Sequence, residues 1–298
     1  MTVTAAPRLT VVTGDKTPAQ KLLRRIGSIL AHVVLIGASI IMLYPLLWML
    51  SASFRPENEI FSGSGLWPSA ISFDAYFRGW HGLRIGFDTF FLNSLIISTL
   101  SIIGNLITCS LAAFAFARLE FKGKRIWFAL MLGTLMLPYQ VTLIPQYVLF
   151  HQLNWINTFL PLVVPKFLAA DAFFIFLMVQ FFRGIPKELD EAAAMDGCSP
   201  WRIYYKILLP LSMPVLATAA IFTFIWTWDD FFGPLIYLSD IRTYTVQLGL
   251  RTFVDSSAES DWGGLFAMSI LTLVPVFLFF LFFQKLLIEG IATTGMKR

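Results

Sequence analysis

The sequence predicts an all-α, polytopic membrane protein with six transmembrane helices, and three observations carry that expectation. Hydrophobic residues make up 57% of the chain and charged ones 13%. Mean hydropathy is +0.73. Six long apolar runs alternate with polar stretches. A soluble domain of 298 residues could not bury that much apolar surface. The runs are continuous rather than alternating, and an open strand edge finds no partner in lipid, so helices are expected and not a β-barrel.

The elements follow in order. Residues 1–25 are mostly polar and rich in Thr, Ala and Pro, which predicts a mobile cytoplasmic tail. Residues 26–298 are expected to form one transmembrane domain. Its spans lie at about 26–50, 90–117, 126–150, 158–182, 207–231 and 263–284, each near the ~20 residues that a helix needs to cross the hydrocarbon. The first run is too far from the N-terminus and too long for a cleaved signal peptide, and is read as a retained signal-anchor. The stretch 51–89, rich in turn residues and aromatics, and the stretch 233–262, with the acidic group Asp255, Glu259 and Asp261 beside Arg242 and Arg251, are expected on the outside, where a protein could dock.

Charge sets the orientation. Most of the 22 lysines and arginines fall in the N-terminal tail, around 118–125, in 183–206 and at the C-terminus. The positive-inside rule puts both termini and the 183–206 loop in the cytoplasm. The formal charge of +4 is thus topological, and no basic, aromatic-interleaved face points to nucleic acid. Cys109 and Cys198 lie in different environments, so a disulfide between them is not expected. His32, His81 and His151 are isolated, which predicts no metal site. The chain has no phosphate-binding glycine loop, so it is expected to bind no cofactor and to be no enzyme.

The polar segment 191–210, EAAAMDGCSPWRIYYKILLP, stands between two spans. Pro186 suits a first helical turn, and Glu188, Asp190 and Glu191 favour the positive end of a helix. Ala192, Ala193 and Ala194 keep its surface thin. Gly197 permits a sharp turn, and Ser199 can cap a second helix begun by Pro200, with Arg202 and Lys206 one turn apart. This predicts a helix-turn-helix projecting into the cytoplasm.

Glu191-Ala192-Ala193, Gly197 and Ile207-Leu208-Leu209-Pro210 resemble at each defining position the EAA loop of ATP-binding-cassette (ABC) importer permeases. LPYQVTLIPQYVLF (137–150), FFRGIPKELDEAAAMDG (181–197), TWDDFFGPLIYL (227–238) and the closing IEGIATTGMKR are similar to the carbohydrate subgroup. The likeness runs from about residue 26 to the C-terminus and is to the second, six-span permease of maltose and multiple-sugar systems. Val179 and residues 292–296 depart from it.

The resemblance implies a type I ABC importer permease-like fold in a bacterial or archaeal cytoplasmic membrane, a lipid bilayer. It implies a second homologous permease, two ABC ATPase subunits that bind ATP and Mg, an extracytoplasmic solute-binding protein and a sugar substrate. It also implies ATPase coupling through Glu191, Ala192, Ala193, Gly197, Ile207, Leu209 and Pro210.

A sugar path needs aromatic faces and hydrogen-bonding groups in an apolar cavity. Candidates are Trp226, Trp228, Asp229 and Asp230 at the end of the fifth span, Tyr139 and Gln140 in the third, and Asn93 in the second. Helical spacing puts Trp226 and Asp230 on one face and Trp228 on another. The alternative function is an ion-gradient-driven secondary transporter using Asp171, which lies ~20 Å along the fourth span if that span is one continuous helix. Lys166 either pairs with Asp171 or extends away from it.

Overall fold

The computed structural model describes residues 18–62, 65–255 and 261–295, and among these every regular element is helical. In chain order they are α1 (Pro18–Ala52), α2 (Asp74–His81), α3 (Phe87–Arg118), α4 (Lys124–Thr134), α5 (Tyr139–Gln152), α6 (Leu160–Val163), α7 (Ala172–Gly184), α8 (Glu188–Met195), α9 (Pro200–Ile203), α10 (Leu209–Leu211), α11 (Met213–Trp228), α12 (Phe232–Tyr237), α13 (Val246–Asp255) and α14 (Trp262–Gly295). Helix starts at Pro18, inside the stretch expected as a tail; residues 1–17 and 296–298 lie outside the described residues.

Four segments are long and apolar enough to cross a membrane unaided: Arg25–Ala52, Phe87–Arg118, Leu160–Gly184 and Trp262–Lys285. Two more exist only as bent pairs. α4 and α5 meet at 100°, and the stretch Pro200–Leu211 meets α11 at 76°. Counting each pair as one crossing gives the six expected spans, but the third and fifth are not straight rods. Proline explains both corners, because it lacks the N–H that a helix interior needs and clashes with the preceding turn. Pro138 stands immediately before α5, and Pro210 and Pro214 flank the second corner at Ser212. Just before Pro210 the helix widens into a π-turn, Tyr204–Leu208, the usual local adjustment to a missing donor.

The fourth segment also differs from the continuous helix expected. After α6 it tightens to a 3-10 stretch, Val164–Leu168, passes through Ala169 in the left-handed region (φ 52°), and resumes as α7. Asp171 is therefore the residue preceding α7 at a break, not a mid-helix position. Broken backbone is tolerated at membrane depth only where protein supplies its hydrogen bonds. Here α3 supplies them: Thr108 Oγ1 donates to the Lys166 carbonyl (3.0 Å), and Cys109 Sγ faces the Asp171 carbonyl (3.8 Å).

α3 is the central post, with α7 and α11 packed along it. Its polar side chains each fasten a different neighbour. Asn93 Nδ2 donates to the carbonyls of Arg242 and Tyr244, both at 2.9 Å, and Ser94 Oγ accepts from the Val246 N–H. Asn105 donates to Thr223 of α11 (2.8 Å), and Ser110 pairs with the Tyr204 hydroxyl (2.8 Å).

Two cores form around its ends. Towards Arg118 lie Cys109, Phe114, Phe174, Met178, Phe182, Ala193, Tyr204 and Leu208. Towards Phe87 lie Phe90, Phe224, Trp228, Val246, Phe253 and Met268. At this second end Arg78 bridges Glu57 (2.5 Å) and Asp261 (3.2 Å), tying the stretches 51–89 and 233–262 together. The hydrogen bond to Asp261 is the main reason that its guanidinium is held above the ordinary arginine value. Of the acidic residues read in 233–262, Glu259 lies outside the described residues. α1 buries none of its apolar window, touching the rest through contacts such as Trp48 on Phe266, ring centroids 5.5 Å apart.

Gly104 sets the closeness of α3 to the broken segment. A Cβ there would lie 2.6 Å from the Phe167 ring, so the two backbones approach only because none exists. Gly104→Val is expected to lower the melting temperature of the detergent-solubilised protein by several degrees. An unchanged melting curve would show that the 3-10 stretch moves aside freely.

Candidate functional site

Two places combine exposed polar chemistry with a built geometry: the helix-turn-helix at 188–211 and a cavity deep in the helix bundle.

In the first, α8 begins at Glu188, after Lys187 and two residues later than Pro186, with Glu188, Asp190 and Glu191 in its first turn. Carboxylates there meet the unsatisfied N–H groups and the positive end of the helix dipole. The chain turns at Gly197, whose φ of 78° suits glycine best. The Gly197 N–H closes on the Ala194 carbonyl (3.0 Å) and the Cys198 N–H on Ala193 (2.9 Å). Ser199 then caps α9, its hydroxyl accepting from the Arg202 N–H at 3.4 Å. The turn chemistry read from Gly197, Ser199 and Pro200 is thus what the fold uses.

The loop has an inner and an outer face. Ala193, Ile203 and Tyr204 belong to the core under Arg118, and Ile207 and Leu209 pack against it. Glu191, Ala192, Gly197 and Pro210 are exposed, beside Met195 at 89% and Trp201 at 59%. A small-residue helix presenting the carboxylates of Glu188 and Glu191 among exposed apolar side chains is suited to enter a cleft on another protein. A recess of about 270 Å³ lies alongside, bordered by Phe114, Lys187, Glu191, Ala194 and Ile203.

Sequence reasoning missed what holds the loop. Arg118, the last residue of α3, pairs with Asp190 at 2.5 Å, and the two side chains are only 6% and 17% exposed. Its Nη2 also donates to the Ile185 carbonyl at 2.9 Å. One guanidinium thus pins both the approach to α8 and its first turn. The available signal was an arginine ending a span and a carboxylate next to Glu191, but nothing in the sequence says that they meet.

The second place lies beside the break in the fourth segment. A cavity of about 80 Å³ is bounded by Ile97, Lys166, Trp226, Thr227, Asp230 and Thr245. α3 is ~48 Å long at 1.5 Å per residue. The cavity lies at the level of Ile97 and, one helical turn beyond the Asn105–Thr223 bond, of Trp226 and Thr227. That is within about 10 Å of the α3 midpoint by the same rise. Lys166 Nζ binds Asp171 at 2.8 Å, each side chain 28% exposed, so the pair expected as one possibility is formed. Asp230 accepts from the Gly233 N–H at 3.1 Å.

The path candidates separate here. Trp226 is 51% exposed and edged by Phe173, Phe174 and Phe222. With Asp230 it borders the cavity, but α11 ends at Trp228, so Asp230 reaches it from the chain beyond the helix and not through the shared helical face expected. Trp228 is 1% exposed, stacked on Phe224, and donates from Nε1 to the Thr272 carbonyl at 3.0 Å. It is a core residue joining α11 to α14. Asp229 is exposed and accepts from Gln247 (3.3 Å). Asn93, 8% exposed, is a clamp on the Arg242–Tyr244 backbone. Tyr139 and Gln140 are exposed at the start of α5 and do not border this cavity.

Removing the Arg118 side chain by Arg118→Ala is expected to speed amide exchange in 188–195 at least tenfold, the equivalent of ~1.4 kcal/mol, while the middle of α3 stays protected. Equal exchange in both proteins would mean that the loop is held by its core contacts alone.

The comparisons agree with this geometry. Residues 104–292 match the model of the family described as binding-protein-dependent transport system inner membrane component. The arabinooligosaccharides transport system permease protein AraQ of Halalkalibacterium halodurans is 34% identical over 92% of this chain and 99% of its own. The trehalose/maltose transport system permease protein MalG of Thermococcus litoralis is 32% identical over 93% and 99%. Among solved structures, a chain of a bacterial ABC transporter involved in the import of the acidic polysaccharide alginate superposes with a TM-score of 0.80, covering 92% of this chain and 99% of that one at 24% identity, a likeness of fold. A helical bundle that crosses the membrane several times, with a helix-turn-helix between crossings and a family match over most of its length, has one assignment: the chain belongs to the binding-protein-dependent transport system inner membrane component family, and is a membrane permease subunit.

Proposed function

We propose that this permease forms half of the translocation path of an ABC importer for a sugar or oligosaccharide. Its partner is a second, homologous permease. Two ATPase subunits bind ATP and Mg and receive the α8–α9 loop, and an extracytoplasmic binding protein delivers the solute. What supports the substrate class is that relatives aligned over more than nine-tenths of the chain are named for arabinooligosaccharides, trehalose or maltose, and diacetylchitobiose. What supports the coupling role is the loop, held rigid on its inner face by Arg118 and the core while Glu191 and the small residues stay free to dock.

In this reading the loop and both termini are cytoplasmic, as the distribution of Lys and Arg favours. Ile207, Leu209 and Pro210 connect the docked loop to α11, the helix that carries Trp226 and ends just before Asp230. ATP-driven movement of the partner subunits shifts the loop, and the two permeases rock between inward-open and outward-open arrangements.

Two results are expected. Glu191→Lys or Gly197→Pro should reduce ATP-driven uptake at least tenfold and weaken co-purification of the ATPase, with the melting temperature of the permease nearly unchanged. Wild-type uptake with either variant would remove the loop from coupling. Uptake by the reconstituted complex should need ATP and persist when proton and sodium gradients are collapsed. Gradient-driven uptake by this chain alone would restore Asp171 as an ion-coupling residue.

A further inference from the structure

The cavity beside the break in the fourth segment has features that the packing of the chain does not need. Thr245, a residue of the cavity wall, is 3% exposed, and its buried Oγ1 finds no hydrogen-bond partner among the described residues. A buried hydroxyl left so costs stability unless something polar visits it. Lys166, Asp171 and Asp230 are costly inside a bundle that crosses a membrane, and such groups are kept where they pair or face water or a solute. By contrast, a roomier cleft of about 550 Å³ beside α1, lined by Leu47, Leu50, Phe54, Trp67 and Ile71, offers almost no polar group.

We propose that the cavity bounded by Trp226, Asp230, Lys166 and Thr245 is a subsite that reads the hydroxyls of an uncharged carbohydrate during passage, and that its charge balance disfavours anionic solutes. This rests on the importer reading and adds the class of sugar to it. Lys166 is neutralised by Asp171 at 2.8 Å, which leaves the Asp230 carboxylate as the unbalanced charge facing the cavity. The formal sum over the three is one negative charge. Asp229, exposed next in sequence, adds to it.

A sugar phosphate or uronate entering there meets repulsion, whereas a neutral ring finds complementary groups. The Asp230 carboxylate accepts from a hydroxyl, and Thr245 Oγ1, buried just behind the wall, gains a partner if the wall opens around a solute. The exposed part of the Trp226 ring offers an apolar surface to the C–H face of a pyranose. The volume, about 80 Å³, exceeds two waters at roughly 30 Å³ each but is less than a whole hexose. The subsite therefore holds one edge of a ring, and the facing permease closes over the rest.

The test uses the complete complex, this chain with its partner permease, ATPase subunits and binding protein, in proteoliposomes. In a Cys109→Ser, Cys198→Ser background, Thr227→Cys places a thiol at the cavity wall. Reaction rates are measured with a cationic methanethiosulfonate (ethyltrimethylammonium) and an anionic one (ethylsulfonate), each divided by its rate with free 2-mercaptoethanol. The cationic reagent is expected to react at least tenfold faster, and Asp230→Asn to shrink that ratio at least threefold. An equal or inverted ratio overturns the charge balance and the proposal.

ATP-driven uptake of labelled maltose, trehalose and an arabino-oligosaccharide is then compared with that of glycerol 3-phosphate. Asp230→Asn, which keeps an oxygen for the Gly233 N–H, and Trp226→Ala are expected to cut sugar uptake at least tenfold while binding-protein-stimulated ATP hydrolysis keeps at least half its rate. Unchanged uptake in both variants overturns the subsite. A wild-type complex that imports glycerol 3-phosphate but none of the sugars keeps the importer and overturns the subsite. One that imports nothing on ATP sinks the importer reading and the subsite with it.

Discussion

A hydrogen-bonding group inside hydrocarbon must find its partner within the protein, and in this chain α3 meets most of that demand. It is one unbroken helix from Phe87 to Arg118, so all its own backbone bonds are internal and its side chains are free to serve others. Asn93 and Ser94 hold the stretch before α13, Asn105 holds α11, Thr108 and Cys109 cover the break in the fourth segment, and Ser110 and Arg118 hold the α8–α9 loop. The breaks can exist because the post beside them is whole. Without α3 the open backbone near Ala169 would face lipid or an empty gap.

This also explains which parts of the fold could be read from the sequence. Apolar runs are set by composition, so the six crossings were legible. Local turn chemistry was legible too: Gly197 takes the left-handed turn and Ser199 caps the helix that Pro200 begins. What could not be read depends on partners distant in sequence. Hydropathy alone cannot distinguish a straight span from one broken at Ala169, because the broken backbone is covered by α3 and needs no polar side chain of its own. Likewise, helical spacing separates Trp226 from Trp228, but only the packing of Phe224, Phe91 and Thr272 around one indole makes Trp228 the buried one.

The candidate site divides along the same line. The exposed face of the loop is a matter of residue type, Glu191 with small neighbours, and was visible at once. The Arg118–Asp190 pair that orients it joins the end of α3 to α8, and Thr245 reaches the cavity wall from the 233–262 stretch, expected on the outside. Asn93 shows the converse: an amide in an apolar run suggests a solute contact, yet its N–H groups are taken by two backbone carbonyls. An intramembrane polar group is informative about need and says little about whether a ligand or the chain itself meets it.

The two places are mechanically continuous. The inner face of the loop is part of the core under Arg118, and that core includes Leu208 and Val215 on either side of the Ser212 corner. From there α11 runs to Phe224 and Trp228, which lie in the second core and are fixed to α14 by the Trp228–Thr272 bond and the stacking of Phe224 on Phe279, centroids 4.3 Å apart. Close-packed interiors transmit displacement with little compression. The softest point along this route is the corner itself, where Pro210 and Pro214 remove backbone donors and a π-turn takes up slack. In the proposed importer a push on α8 would tilt α11 about Ser212 rather than bend it further along, carrying Trp226 with the helix and Asp230 just beyond its end. A change at the loop would in this way become a change in the width of the cavity, without any alteration in the residues that line it.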